Sequence, residues 1–247
     1  MKIIISPAKK LTSEKINVNK FSSIQFLNEA KYLVEQLRDY TVDDIKQLMG
    51  LSDNLASLNH ERYQQFDLKS EKVNPAIYMF QGDVYKGLRA DKFLEDEMAF
   101  AQDNLRIISG LYGVLKPLDL VFPYRLEMGT KMKTKAGKNL YDFWSDKLSK
   151  KLSSEMEDEE VLVNLASNEY SKALQLERFT QPIITPIFKD YKNGKLKVIS
   201  FFAKKARGEM TNFIIKNKIN DPKDIKLFTN DGYAFSEENK GKILFVR

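Results

Sequence analysis

Apolar positions along this chain repeat with two periods, and the switches between them mark out its elements. The run KIII (2–5) predicts a short buried strand stopped by Pro7. From Ser22 to Arg38 the apolar residues Ile24, Leu27, Ala30, Val34 and Leu37 recur every three or four positions, the spacing of an amphipathic helix. Two shorter helices are expected at about 41–49 and 53–65, joined by the tight segment MGLSD (49–53). Thr41 with Asp44 has the form of a capping box, and Asp53 reads as the cap of the second helix. AIYMF (76–80) and RII (106–108) read as strands, with a helical stretch at 95–105 between them. A helix near 139–153 precedes an acidic run (155–160), and VLVNL (161–165) reads as another buried strand. PIITPIF (182–188) and KLKVISFFA (195–203) flank Tyr191-Lys192-Asn193-Gly194, where Asn-Gly signals a hairpin. A helix at about 205–218 and a closing strand ILFV (243–246) complete the pattern. With no linker and no internal repeat, the pattern predicts an α+β or mixed α/β fold. It is one compact domain over 1–247, a mixed sheet surrounded by helices with an N-terminal helical hairpin.

Composition narrows the chemistry. The chain has 247 residues, 43% hydrophobic and 30% charged, which is globular rather than disordered. Having no cysteine, it cannot form disulfides, thiolate nucleophiles or Cys-ligated zinc and iron–sulfur centres. A single histidine, His60, rules out a three-histidine zinc site within one chain and reads as solvated on a polar helix face. No run of about 18 apolar residues exists, and MKIIISPAKK is too short in apolar residues for a signal core, so the expected location is cytoplasmic with no membrane partner. The net charge of +6 favours a polyanionic partner.

No cofactor motif is complete. Gly82–Gly87 (GDVYKG) has the glycine spacing of a phosphate loop, but Leu88 and Arg89 stand where Lys and Ser/Thr are needed. Ser6-Pro7-Ala8-Lys9 matches S-x-x-K without its partner motifs, so Ser6 is expected to cap a turn. No cofactor and no metal site is predicted; Asp83, Asp119, Glu127 and Glu169 are carboxylates without a ligand spacing. The basic residues say more. Between Lys189 and Arg207 seven cations meet one acid, a surplus equal to the whole chain's net charge of +6, with Phe188, Tyr191, Phe201 and Phe202 among them. Lys204, Lys205 and Arg207 are expected where a strand hands over to a helix, a place that invites an anion. The lysines of KMKTKAGK (131–138) form a loop with little to bury. The irregular stretch 109–129 is apolar enough to be ordered and carries Arg125 and Glu127. Asn168, Glu169 and Tyr170 follow the end of the VLVNL strand, where α/β proteins tend to place ligands. One site drawing on Lys9, Arg125, Glu127, Asn168, Glu169 and Lys204 is conceivable, as is a salt-bridge network that only shapes the loops.

The blocks ISPAKK (5–10), FQGDVYKGL (80–88), LRIISGLYGVLKPLDLVFPYRLEMG (105–129), LYDFW (140–144), NLASNEY (164–170) and ISFFAKKARGEMTNFII (199–215) resemble the YaaA peroxide-stress protein family. The resemblance runs from Met1 to GYAF (232–235). It implies a bacterial cytosolic protein that limits hydrogen peroxide damage by holding down free iron. It also implies one α/β domain of unusual topology, with a positively charged cleft that binds duplex and structured DNA. The DNA reading attaches to a helix-hairpin-helix resemblance over about 41–65, with Gly50-Leu51-Ser52 as its hairpin. Ser52 stands where a second glycine is typical, and the adjacent Asp53 would repel a phosphate. An ordinary helical hairpin fits the same residues.

Two functions follow. The first is a DNA-binding stress protein, sequence-independent and monomeric, whose contacts are Lys9, Lys10, Gly50, Ser52, Arg125, Lys204, Lys205 and Arg207. The second is an enzyme on a nucleotide or other small anion, with Lys9 or Lys204 as base or nucleophile and Glu127 or Glu169 as proton carrier. Convergence of these side chains in an enclosed pocket favours the enzyme; an open lysine-lined groove favours DNA.

Overall fold

The short apolar runs pair into one eight-stranded mixed sheet in the computed structural model, which describes residues 1–247. Its strands are β1 (Lys2–Ile5), β2 (Leu105–Ser109), β3 (Gly113–Leu115), β4 (Leu162–Asn164), β5 (Ile183–Lys192), β6 (Lys195–Lys197), β7 (Ala234–Asn239) and β8 (Lys242–Val246). They run in the order β7-β8-β5-β4-β1-β2-β3, with β6 paired to β5. The central strands are parallel, Ile3 lying opposite Leu105 on one side and Val163 on the other. β5 continues the parallel run beside β4 and β8, whereas β3, β6 and β7 are antiparallel hairpin partners. Parallel strands covered on both faces must be apolar throughout. Ile3, Ile4, Ile5, Leu105, Ile107, Ile108, Leu162 and Val163 are all fully buried.

The helices are α1 (Leu27–Arg38), α2 (Val42–Met49), α3 (Asp53–Gln64), α4 (Ala76–Met79), α5 (Asp83–Leu88), α6 (Glu95–Asn104), α7 (Leu140–Trp144), α8 (Lys147–Ser153), α9 (Asn168–Ser171) and α10 (Ser200–Lys216). The capping box before α2 forms: Thr41 N donates to Asp44 Oδ2 at 2.9 Å, and Asp44 N to Thr41 Oγ1 at 3.2 Å. The hairpin turn after β5 forms as well, with Asn193 and Gly194 both at positive φ. The segment 109–129 is ordered, its Leu111, Tyr112, Phe122, Tyr124 and Leu126 all in the core. Trp144 is also core, its Nε1 donating to the Gly110 carbonyl at 3.0 Å.

Several expectations are corrected. Residues 76–79 form a helical turn, and only Phe80–Gln81 is extended, paired with Lys10–Leu11. Pro75 starts that turn, and Ala76 N and Ile77 N donate to the carbonyls of Asp119 and Pro117, so neither amide can serve a sheet. The strand proposed over 195–203 ends at Lys197, and the final long helix starts at Ser200 rather than near 205. Ala203, Ala206, Met210 and Ile214 explain the switch, because they line up on the buried side of α10 at helical spacing. The helix expected at 139–153 is two, broken at Ser145 with φ 45. α1 begins at Leu27, since Ser22 is drawn into a bridge with Asp119. Ser52, not Asp53, is the cap residue of α3. The lysine-rich loop does bury something: Met132 is fully inside.

Candidate functional site

The carboxyl ends of the adjacent parallel strands β1 and β4 lead straight into the site. Beyond β1 the chain runs through Ser6–Lys10, and beyond β4 through Leu165–Tyr170. The two segments are stitched together, because Ser167 N donates to Ser6 Oγ at 2.9 Å and Leu165 N to the Ile4 carbonyl at 2.9 Å. Ser6 therefore joins two strand ends across the site instead of capping a turn of its own. Ligands of open α/β sheets bind in this place, outside the carboxyl ends of the strands.

Two further walls close the pocket. One is α5, held against α10 by a glycine crossing. A methyl group on Gly208 would lie 1.8 Å from the Val84 carbonyl oxygen, and one on Gly87 2.3 Å from that of Lys205. This contact fixes Asp83 and Tyr85 opposite Lys204 and Arg207, and Tyr85 OH donates to the Ser6 carbonyl at 3.1 Å. The other wall is the end of the 109–129 segment, tied down where Tyr63 OH donates to the Arg125 carbonyl and Ser109 Oγ meets Tyr124 OH at 2.6 Å. It presents Glu127, whose Oε1 lies 2.6 Å from Lys9 Nζ and 3.7 Å from Arg125 Nη2. Glu169 faces it, Oε1 accepting from Gly129 N at 2.9 Å.

The resulting pocket of about 330 Å³ brings together Lys9, Lys10, Glu127, Glu169, Lys204 and Arg207 of the candidates. Of its cations, Lys9 is engaged with Glu127, while Lys10, Lys204 and Arg207 make no ion pair. Lys204 and Arg207 stand three residues apart on one face of α10, beyond its first turn, so they do not crowd the positive end of the helix as the sequence implied. Burial pulls the Arg207 guanidinium below its ordinary value, and no group of the protein accepts a hydrogen bond from it. Burial also lifts the Tyr85 and Tyr170 hydroxyls above the usual tyrosine range, so both remain neutral donors at any physiological pH.

Glu127 and Glu169 also border a second, larger concavity of about 1010 Å³, which continues the cleft towards α2. Asp39 and Asp44 join them there, with Lys131 as the cation. The cleft is thus electrically two-ended, cationic beside α10 and anionic beside α2.

Six candidates fall outside the cationic pocket. Lys205 points away, its Nζ 3.0 Å from Asp231 and 3.1 Å from Glu209, which together hold its pKa above the ordinary lysine value. Arg125 sits behind Glu127 with its Nε buried and unpartnered. Gly50 and Ser52 form the hairpin tip outside both concavities; Gly50 takes φ 60 and Lys46 neutralises Asp53 at 2.5 Å. Asn168 lies beside Glu169 but does not line the pocket, and Asp119 is buried as a loop brace, accepting from Ser22 Oγ at 2.6 Å and Lys116 N at 2.8 Å. The residues that sequence reasoning missed are Gln81 and Tyr85, whereas Asp83, named only as a carboxylate without a ligand spacing, does line the pocket. Their signal was the GDVYKG segment, in which Gly87 marks the close helix crossing and Gly82 lies against Ala8, rather than a phosphate loop. No three His, Asp or Glu side chains are grouped as metal ligands, and no helix is long and apolar enough to cross a membrane.

Fold and cleft define a mixed α/β protein with a pocket, lined by three cations outside any ion pair, at the carboxyl ends of its central parallel strands. The chain belongs to the family described as peroxide stress protein YaaA, whose family model matches residues 1–239. It is 48% identical over 242 residues to a UPF0246 protein of Aliivibrio fischeri (strain MJ11), covering 96% of this chain and 93% of that one. It is likewise 48% identical over 252 residues to a UPF0246 protein of Marinomonas sp. (strain MWYL1), covering 100% and 97%. A UPF0246 protein of Teredinibacter turnerae is 48% identical over 254 residues, covering 100% and 99%. The family's name places the chain among peroxide stress proteins.

Proposed function

We propose that the protein serves peroxide defence in the cytoplasm by binding DNA, duplex or branched and without sequence preference, so limiting iron-dependent oxidative damage. The observation that carries this reading is the set of three cations, Lys10, Lys204 and Arg207, gathered without a carboxylate partner at one end of the cleft. Of the three only Arg207 is half-buried, a charge without a counter-ion that is costly until an anion arrives, and phosphate contacts of this kind give affinity without reading bases. Protection on this reading is physical, the bound monomer covering the backbone at nicks and branches. Fluorescence anisotropy against salt tests it. The double substitution K204A/R207A is expected to weaken binding and to flatten the slope of log affinity against log salt by about 2, roughly one unit per lost phosphate contact. Because Lys205 is occupied by Glu209 and Asp231, Lys205→Ala alone should leave the slope unchanged. An unaltered slope in the double variant would end the claim that these residues meet phosphate.

The enclosure of the pocket favours a second reading, an enzyme acting on a nucleotide or other small anion. Lys9 and Glu127, an ion pair at 2.6 Å, would be the base and proton carrier beside a ligand held by Lys204 and Arg207. Incubation with nucleoside phosphates should then give a product by chromatography that Glu127→Gln removes; absence of any product would dispose of catalysis on these substrates.

A further inference from the structure

The pocket and the acidic lobe next to it restrict what part of a nucleic acid can enter. A space of about 330 Å³ is at the lower end for small-ligand sites, room for one nucleotide and not for a duplex. Its charges divide unevenly. Glu127 takes up Lys9, and Lys86 stands 3.8 Å from Asp83, which leaves Lys10, Lys204 and Arg207 together. Glu169, which lines the same pocket with no cation partner, lowers their surplus to two positive charges. That is still more than one diester phosphate neutralises, whereas a terminal phosphate carries roughly 1.5 to 2 negative charges at neutral pH. The planar fork of Arg207, half-buried and without an acceptor in the protein, suits two oxygens of one phosphate. Beyond the pocket the cleft turns acidic through Asp39, Asp44, Glu127 and Glu169, so a polyanion cannot thread onward. A chain that reaches Arg207 has to stop there.

We infer that the pocket holds one nucleotide with a terminal phosphate, the phosphomonoester resting on Arg207, Lys204 and Lys10 and the nucleoside lying against Tyr85 and Tyr170. This rests on the anion-binding reading above. The nucleotide comes from either of two sources, the phosphorylated end of a strand at a nick or break, or a free mononucleotide.

Anisotropy with four DNAs of one sequence separates the possibilities: a closed minicircle and linear duplexes whose ends carry hydroxyls, 5′-phosphates or 3′-phosphates, each challenged with dAMP and with inorganic phosphate. A phosphorylated end is expected to bind about tenfold more tightly than a hydroxyl end, the worth of one charge-assisted contact, and dAMP should compete. Arg207→Gln should abolish that preference while leaving residual backbone binding. Lys204→Gln, at an exposed position, should reduce the preference without affecting the fold. Equal affinity for the minicircle and the phosphorylated duplexes, with no competition by dAMP, would overturn the inference and leave the DNA reading standing. Binding of dAMP lost in Arg207→Gln, with no affinity for any DNA, would sustain the inference for the free nucleotide and overturn the DNA reading.

Discussion

Gly208→Ala is expected to destabilise the protein by about 3 kcal/mol or more, at or above the upper end of ordinary overpacking. The added methyl would sit 1.8 Å from the Val84 carbonyl oxygen and 2.7 Å from its carbon, both backbone atoms with nowhere to rotate. The helices can relieve the clash only by separating, and the separation acts on the site. α5 carries Asp83 and Tyr85, while α10 carries Lys204 and Arg207, so the crossing sets the width of the cationic pocket. Anion affinity should therefore fall along with stability. Gly50→Ala provides the contrast: nothing lies within 4 Å of the new methyl, and only the left-handed φ of 60 opposes it, worth about 1 kcal/mol. Urea unfolding of the two variants, with anisotropy on the folded fraction, checks the ranking. Equal losses would show that the α5–α10 contact yields more easily than its backbone distances imply.

The central sheet was legible because its chemistry is local. KIII, RII and VLVNL are short apolar runs, and strands buried on both faces must look like that. The capping box at Thr41 and the Asn-Gly turn at 193–194 were legible for the same reason, since each motif contains its own hydrogen-bond partners. AIYMF was misread because a five-residue apolar run fits a strand and a helical turn equally, and the decision came from distant carbonyls at Pro117 and Asp119. KLKVISFFA was misread because its helix begins inside the apolar run. The exposed Phe201 and Phe202 hid the start of a periodicity that becomes plain only from Ala203 onward.

The site was half legible. Lys9, Glu127, Glu169, Lys204 and Arg207 were picked out as charged residues at element ends, and the fold brings them to one pocket. Composition could not distinguish Lys204 from Lys205. They are neighbours on α10, about 100° apart around its axis, and only the fold shows that Asp231 and Glu209 wait on the side of Lys205. Nor could it reveal that the cleft changes sign, because Asp39 and Asp44 lie far in sequence from Glu127 and Glu169.

Glu155 gives the second large effect, a pH dependence confined to acid. Its carboxylate loses hydration by burial, but more than recovers it from a hydrogen bond donated by Gln25 and from the charge and hydrogen bonds of Arg106 and Lys151. The balance brings its pKa down from 4.5 to about 2. Arg106 is itself almost wholly buried on β2, with Nε 2.8 Å from Glu155 Oε2 and Nη1 bonded to the Gln102 and Leu105 carbonyls. A carboxyl whose folded pKa is depressed stabilises the protein above its unfolded pKa, and that contribution fades as pH falls towards the folded value. Glu155→Gln should accordingly be less stable than the wild type at pH 6, and the gap should close between about pH 4.5 and 2. Arg106→Ala should also be less stable than the wild type at neutral pH, because it leaves the half-buried carboxylate with Lys151 and Gln25 alone. Acid protonates that carboxylate, so part of the Arg106→Ala defect should also vanish at low pH. Urea titrations at a series of pH values measure both effects. A gap between wild type and Glu155→Gln that stays constant from pH 6 to 2 would mean that Glu155 holds the sheet to the α8 segment through hydrogen bonding alone, not through its charge.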